Sequence, residues 1–383
     1  MNEDIIYLDH AAATPIDSRV LEDMLPYFTE HFYNPSSPYK QAVEVRRAYE
    51  AAKARIGVCI GAKGDEIIVT AGATESINLA FSGRQGHVVT SSIEHHAVLE
   101  AAKRHDITLV TPHTDGMIDS ETIRKALKPD TWLVSIALAN HELGTIQKLR
   151  DIAEIIHTER LRRQDAGEDV PIYFHTDASQ GVGQVDVNVA RLGVDMMTLN
   201  AAKIYGPKQV GLLWMASHVR LKPLIVGGGQ ERGLRSGTEN VAGAIGFARA
   251  LELASEHRNS ETKRLAELRD ILQDKLLTAF PEAIVSGSTK RRLSSHLHIS
   301  FSGVDAERVV FGLENRGVLV ATGSACAANK GTRSHVLVEI GMVDLAADGS
   351  LRLTLGRLTN EANIIAAAKH IIEVVGAEYA RQA

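Results

Sequence analysis

Between residues 67 and 199 short β-rich runs alternate with helical patterns. This rhythm constrains the fold more than any other feature of the sequence. Ile67–Thr70, His87–Thr90, Thr108–Val110, Trp132–Leu138, Pro171–Thr176 and Met196–Leu199 read as strands, each bounded by polar or turn-forming residues. Thr74–Phe81, His96–His105, Ser120–Leu127 and Leu149–Arg163 read as helices between them. Strands joined through helices run parallel, because a parallel neighbour needs a crossover. The spacing predicts an α/β fold with a mostly parallel sheet. Upstream, Ala42, Val45, Ala48, Ala52 and Ile56 mark a helix over Gln41–Ile60. Downstream, a helix-rich stretch runs from Asn240 to about Phe280, where Pro281 ends it. Strands at His296–Phe301, Val318–Ala321 and Leu351–Leu355 follow. A closing helix starts near Asn360, with Ile364, Ala368, Ile371 and Val375 on one face. The 383 residues imply roughly two domains. The boundary is expected inside the long helical stretch: a large domain over 16–257, and a small one over 258–383 joined by the N-terminal arm, 1–15.

Net charge is −5, with no long basic run, which argues against nucleic acid or an anionic membrane as partner. Lys290-Arg291-Arg292 reads as a solvated loop. No apolar run is long enough to span a bilayer, and the acidic start lacks a signal-peptide pattern. Two cysteines, Cys59 and Cys326, cannot make a disulfide framework. A soluble, cytoplasmic protein in a reducing compartment is expected. Cys59 sits among Val58 and Ile60 at a helix end and reads as a small buried hydrophobe.

Ligands of an open parallel sheet bind at the carboxyl ends of its strands. The chemically distinctive residues fall just after strands. Ala71-Gly72-Ala73-Thr74 lies between strand and helix, where free N–H groups suit a phosphate, although an ordinary turn would look the same. Glu94-His95-His96 follows a strand and offers a ring to stack on or a proton shuttle, although alone it reads more simply as a surface histidine at a helix start. Asp177 ends the run Tyr173-Phe174-His175-Thr176, where an acid is costly unless it meets a cation or donors. Gln180 comes one short turn later. Lys203 is held between two apolar runs, Met196–Leu199 and Val210–Met215, and a lysine so placed can act as a nucleophile toward a carbonyl, although taken alone the stretch reads more simply as a solvated loop lysine before a Gly-Pro turn. The glycine- and arginine-rich stretch from Gly227 to Thr238 lacks the context of a dinucleotide fingerprint. Cys326 sits in a loop of small residues, Gly323 to Gly331, which suggests a reactive thiol. A zinc site from His95, His96, His175 and Asp177 lacks the i, i+4 pair of a metalloprotease, so no metal is expected. Pyridoxal phosphate needs a lysine amine, an acid for its ring nitrogen and a phosphate site, and a chemistry on that cofactor could use the histidine and the thiol as well.

The chain resembles the cysteine desulfurases, in the class V aminotransferase group of fold-type I pyridoxal-phosphate enzymes. The resemblance rests on Tyr7–Thr14, Asn34–Ser37, Thr70–Ser76, Glu94-His95, Asn140–Thr145, His175–Gln180, Lys203–Lys208, Glu231–Thr238 and Gly323–Cys326, in one order over nearly the whole chain. It implies a large domain with a mostly parallel seven-stranded sheet and a smaller α+β domain. It implies that Lys203 bonds to pyridoxal 5′-phosphate, that Asp177 pairs with the ring nitrogen, and that Gln180 contacts the ring hydroxyl. His95 would stack on the ring and move protons, while Ala73 and Thr74 bind phosphate. Thr238 would reach the phosphate of a neighbouring subunit, which makes a homodimer the expected assembly. Asn34 and Arg352 would hold the substrate carboxylate, and Cys326 would accept sulfur. The implied reaction takes sulfur from L-cysteine, leaves L-alanine, and builds a persulfide for an acceptor in iron–sulfur cluster assembly or tRNA thiolation. Selenocysteine lyase, another class V activity, or a non-catalytic scaffold are the alternatives. Two positions depart from the family. Asn200-Ala201-Ala202 stands where Ser-Gly-His is usual before the lysine; Asn200 could replace one phosphate contact and Ala202 none. His141 stands where an asparagine is common beside the ring, and Asn140 is one residue off.

Overall fold

The computed structural model describes residues 5–323 and 333–382. The N-terminal arm contributes β1 (Ile6–Tyr7). The main sheet is built from β2 (Ile67–Thr70), β3 (His87–Ser91), β4 (Asp106–Val110), β5 (Thr131–Ser135), β6 (Tyr173–Asp177), β7 (Met196–Asn200) and β8 (Gly211–Met215). Its order is β2-β8-β7-β6-β5-β3-β4. Neighbours are parallel except around β8, which runs antiparallel to both β7 and β2. The link from Asn200 to Gly211 holds only a 3₁₀ turn, Ala201–Lys203. It is too short for the crossover that a parallel partner needs.

The strands alternate strictly between two buried faces. Val69, Val89, Val134, Phe174, Met197 and Leu212 point into one core, under the helices Lys40–Ile60 and Leu149–Asp165 and the first half of the long helix Val241–Ala279. Ile68, Val88, Leu133, Tyr173, Met196 and Leu213 point into the other, under Ala73–Ala80 and His96–Ala102. A sheet covered on both faces needs apolar residues at every position, so its strands read as continuous apolar runs.

A second core lies on an antiparallel sheet of β12 (Ser350–Thr354), β10 (His296–Ser300) and β9 (Ile284–Val285). Its helices are Ala306–Glu314, Glu361–Gln382 and the second half of the long helix, through Leu265, Leu268, Leu272 and Leu276. Leu8 of the arm is buried in it, and β1 pairs in parallel with β11 (Val318–Leu319).

Three local expectations shift. The helix from Leu149 runs on to Asp165, because Arg163 turns inward and its guanidinium donates to the carbonyls of Thr131, Val170 and Lys128. β5 ends at Ser135 on its β3 side, because the Ala137 N–H turns to the Glu94 carboxylate at 3.1 Å. Lys290 and Arg291 are exposed, but Arg292 is not a solvated loop residue. It is half-buried beside Arg269, donates to Gln273 at 2.9 Å, and burial pushes its pKa down to about 10.

Candidate active site

The carboxyl ends of β2, β3, β5, β6 and β7 open onto a cavity of about 290 Å³. Ala73 and Thr74 enter it from the helix that follows β2, and His95 from the turn after β3. His141 comes from the segment after β5, Asp177 and Gln180 from the end of β6, and Asn200 and Lys203 from the end of β7. The arm adds Ala11 and Ala12, and β12 adds Arg352. Nine of the twelve sequence-predicted site residues line this cavity, while Asn34 and Thr238 do not. Asn34 is exposed and accepts from the Ser36 N–H at 2.9 Å, and Thr238 is exposed on its loop. Cys326 lies outside the described residues.

Lys203 is clamped. Its Nζ donates to the carbonyl oxygens of Ala11 and Ala12, both at 2.7 Å. The arm is laced to the same turn by Thr14, whose hydroxyl donates to the Ala202 carbonyl at 3.0 Å and accepts from the Tyr205 N–H at 2.8 Å. Tyr205 takes φ +64, a left-handed conformation that a bulky residue keeps only when its surroundings hold it. The Tyr205 hydroxyl accepts from the Arg357 N–H at 2.6 Å, with the Arg357 guanidinium over the ring. Asn200 caps the 3₁₀ turn, its Oδ1 accepting from the Ala202 N–H at 3.1 Å.

At the other end of the cavity the helix Ala73–Ala80 begins. The first N–H groups of a helix have no partner within it and attract anions. Gly72 precedes them at φ +124. β8 starts directly against this turn: a Cβ on Gly211 would lie 2.5 Å from the Gly72 carbonyl carbon, so only glycine fits. Glu75 accepts from the Ala71 N–H at 3.0 Å and from Arg235 at 2.9 Å, which balances its charge beside the helix start.

The imidazoles are set by burial. His95 Nδ1 accepts from the Ala97 N–H at 3.1 Å, which leaves the ring proton on Nε2 in the neutral form. Burial lowers its pKa, with the Asp177 charge opposing and Lys203 adding to the shift. His141 packs edge-on to His95, ring centres 5.3 Å apart. Burial, then His95 and His335, push its pKa well down. Its Nε2 has no hydrogen-bond partner among the described residues. Asn140 faces away: its amide donates to the Ile93 carbonyl, and its Oδ1 accepts from the N–H groups of Glu142 and Leu143. His175 is a core residue, its ring between the hydroxyls of Ser135 and Thr198. No group of three His, Cys, Asp or Glu among the described residues is placed to hold a metal.

Arg352 is buried, at 3% exposure. It donates to Asp9 Oδ1 at 2.7 Å and to the His141 carbonyl at 3.3 Å. Two groups beside the cavity carry no role in the sequence reading. Asp9 fixes Arg352, and its signal was an acid inside the Tyr7–Thr14 motif. Glu94 is fully buried, accepts from Ser91 at 2.7 Å, and burial pushes its pKa up to about 7, with Asp177 adding. Its signal was an acid shortly after an apolar strand, the same cue that singled out Asp177. Cys59 is half-buried in the helix Lys40–Ile60, and burial raises its pKa, which suits an inert thiol.

The donor set suits a flat aromatic aldehyde carrying a phosphate. The cavity presents an amine for the aldehyde, a carboxylate for a cationic ring nitrogen, a helix start for the phosphate and the His95 and His141 imidazoles beside them. These residues fit pyridoxal phosphate.

The profile of the class-V aminotransferases matches residues 6–366. A cysteine desulfurase IscS 1 of Archaeoglobus fulgidus is 40% identical over 370 residues, covering 94% of each chain. A cysteine desulfurase IscS of Dictyoglomus turgidum is 41% identical over 371 residues, covering 94% of this chain and 91% of the relative. Among solved structures, a NifS-like protein superposes with a TM-score of 0.88 at 32% identity, over 97% of this chain and 99% of that one.

Proposed function

We infer that this chain, which belongs to the class-V aminotransferase family, is a cysteine desulfurase that takes sulfur from L-cysteine and leaves L-alanine. The observation that carries the reading is the convergence of Lys203, Asp177 and Arg352 on one cavity, in a chain that aligns with relatives named cysteine desulfurase over most of its length. The family depends on pyridoxal phosphate, which when bound takes up the electron pair left at the substrate Cα when its proton departs.

In this reading Lys203 would hold the cofactor, and with L-cysteine in place its Nζ would take the Cα proton. The carbonyls of Ala11 and Ala12 orient that amine. Asp177 keeps a proton on the ring nitrogen. Gln180 meets the ring hydroxyl, and Ala73, Thr74 and Asn200 meet the phosphate. His95 presents its ring face, with Nε2–H as the donor, and His141 fills the place beside it. Arg352 and Asn34 receive the substrate carboxylate. The Cys326 thiolate attacks the substrate sulfur: an S–S bond forms, the C–S bond breaks with its pair left on carbon, and a persulfide remains on Cys326. The acceptor of that sulfur is an iron–sulfur scaffold or a tRNA-thiolation relay. The protein works in the cytoplasm as a homodimer, with Thr238 reaching the partner's phosphate site. Among the described residues no helix is long and apolar enough to cross a membrane.

The test is turnover of L-cysteine with a thiol reductant. Wild type gives equimolar alanine and sulfide. Absence of alanine sinks the desulfurase reading. A Cys326→Ala variant as active as wild type sinks the persulfide role alone.

A further inference from the structure

Ala11, Gln180 and Lys203 line a second cavity as well as the first. This one measures about 70 Å³ and lies where the two cores meet, walled by the arm at His10, the long helix at Ala254 and the small sheet at His296. His257 and Glu261 also line it, the first exposed and the second half-buried, so it reaches the surface.

Two buried imidazoles line this space, each with one ring nitrogen that has no hydrogen-bond partner among the described residues. His10 is 6% exposed. Its Nδ1 lies 3.1 Å from the Thr354 carbonyl oxygen, which can only accept, so Nδ1 carries the proton and Nε2 presents a lone pair. Nε2 has no hydrogen-bond partner among the described residues. His296 is 1% exposed, with Nδ1 on the Ser295 hydroxyl at 2.8 Å and Nε2 likewise unpartnered. Burial disfavours the charged form of both rings. A buried acceptor left unpaired is destabilising, and proteins meet such groups with ordered water where there is room for it. One water needs only about 10–15 Å³.

We propose that this cavity is a hydrated chamber through which the Lys203 amine exchanges protons with solvent, His10 positioning the water. The proposal rests on the reading that Lys203 carries the Cα proton. In that reading substrate fills the first cavity, so the second is the open route during turnover. A proton passes from Nζ to the chamber water as another leaves that water toward the surface. No group is oxidised or reduced. His10 acts through the water it holds and does not touch the reacting atoms.

The experiment is turnover of L-[α-²H]cysteine in ordinary water by the cofactor-loaded enzyme, with the alanine analysed by mass spectrometry. Wild type gives alanine free of α-deuterium, because the label is lost from Nζ before return. His10→Leu retains label in up to roughly a third of the product, the share of one hydrogen among the three on an ammonium. His10→Gln, which keeps a polar group, falls between. Ala254→Leu fills the chamber without altering His10 and also retains label. Retention is a ratio within the product, and a slower enzyme leaves more time for exchange, so general damage cannot imitate it. Label retained by wild type, or deuterium-free alanine from both His10→Leu and Ala254→Leu, overturns the chamber while the desulfurase reading stands. No alanine from wild type overturns both. A crystal structure gives a second readout without turnover: water on His10 Nε2 in wild type, displaced in Ala254→Leu. A dry chamber in wild type overturns the proposal.

Discussion

Replacing Arg352 by lysine tests how the cavity recognises its substrate. The guanidinium is buried and oriented by Asp9 at 2.7 Å and the His141 carbonyl at 3.3 Å, and its Nε has no hydrogen-bond partner among the described residues. A carboxylate arriving from the cavity would meet a planar fork already held in place. Lysine keeps the charge but offers a point contact on a flexible stem. Hydrogen bonds to charged groups contribute about 1.5–3 kcal/mol each. Losing one of the two, with part of the orientation, costs roughly 2–3 kcal/mol, or about 30- to 160-fold in kcat/KM. The loss should fall mainly on KM, because the carboxylate is gripped equally before and during reaction. The assay is initial-rate alanine release across a range of L-cysteine, beside the cofactor absorbance and a thermal melt of the same variant. An unchanged kcat/KM in a folded, cofactor-loaded Arg352→Lys protein would refute the role of this fork.

Two further outcomes concern stability. His298 is fully buried, neither ring nitrogen has a partner among the described residues, and burial pushes its pKa down from 6.5 to about 3. The unfolded chain therefore binds a proton at His298 below about pH 6.5 that the folded chain refuses until about 3, so acidification through that window favours unfolding. The full gap is on the order of 5 kcal/mol; His298→Phe should lose less melting temperature than wild type between neutral pH and the acid end, and parallel curves would count against the assignment. Glu231 accepts from Tyr49 at 2.6 Å, the Val69 N–H at 2.7 Å and Lys53 at 3.5 Å, with both charged side chains buried. Glu231→Ala leaves Lys53 without its counter-charge and should cost about 3–5 kcal/mol, a drop of roughly 4–6 °C for a chain of this size. Adding Lys53→Met should recover much of that drop in calorimetry; no recovery would mean the ion pair is not the cause.

The strands of the main sheet were legible because each is an apolar run bounded by polar residues, and burial on both faces makes such runs continuous. The direction of β8 was not read, although the short link after Asn200 already carried that information. Lys203, Asp177 and His95 stood out because reactive side chains follow strands. The groups that orient Lys203 did not, because Ala11 and Ala12 contribute only backbone carbonyls, and a carbonyl has no sequence signature. His141 rather than Asn140 lines the cavity, because the Asn140 side chain turns back to cap the turn that His141 opens. Arg292 was not legible. In an irregular loop no period says which of three adjacent basic residues turns inward.

The clamp on Lys203 joins residues 192 positions apart. Closing a chain segment of that length costs about 4–5 kcal/mol in lost freedom. The arm precedes these partners in sequence, yet it can dock only once β7 and the turn at Lys203 have formed and β12 offers its Thr354 carbonyl to the His10 N–H. Until then the lysine has no fixed orientation, even with the whole main sheet formed. The site is thus completed by the stretch that precedes its other parts in sequence, and the lysine amine gains its orientation only when that stretch has docked.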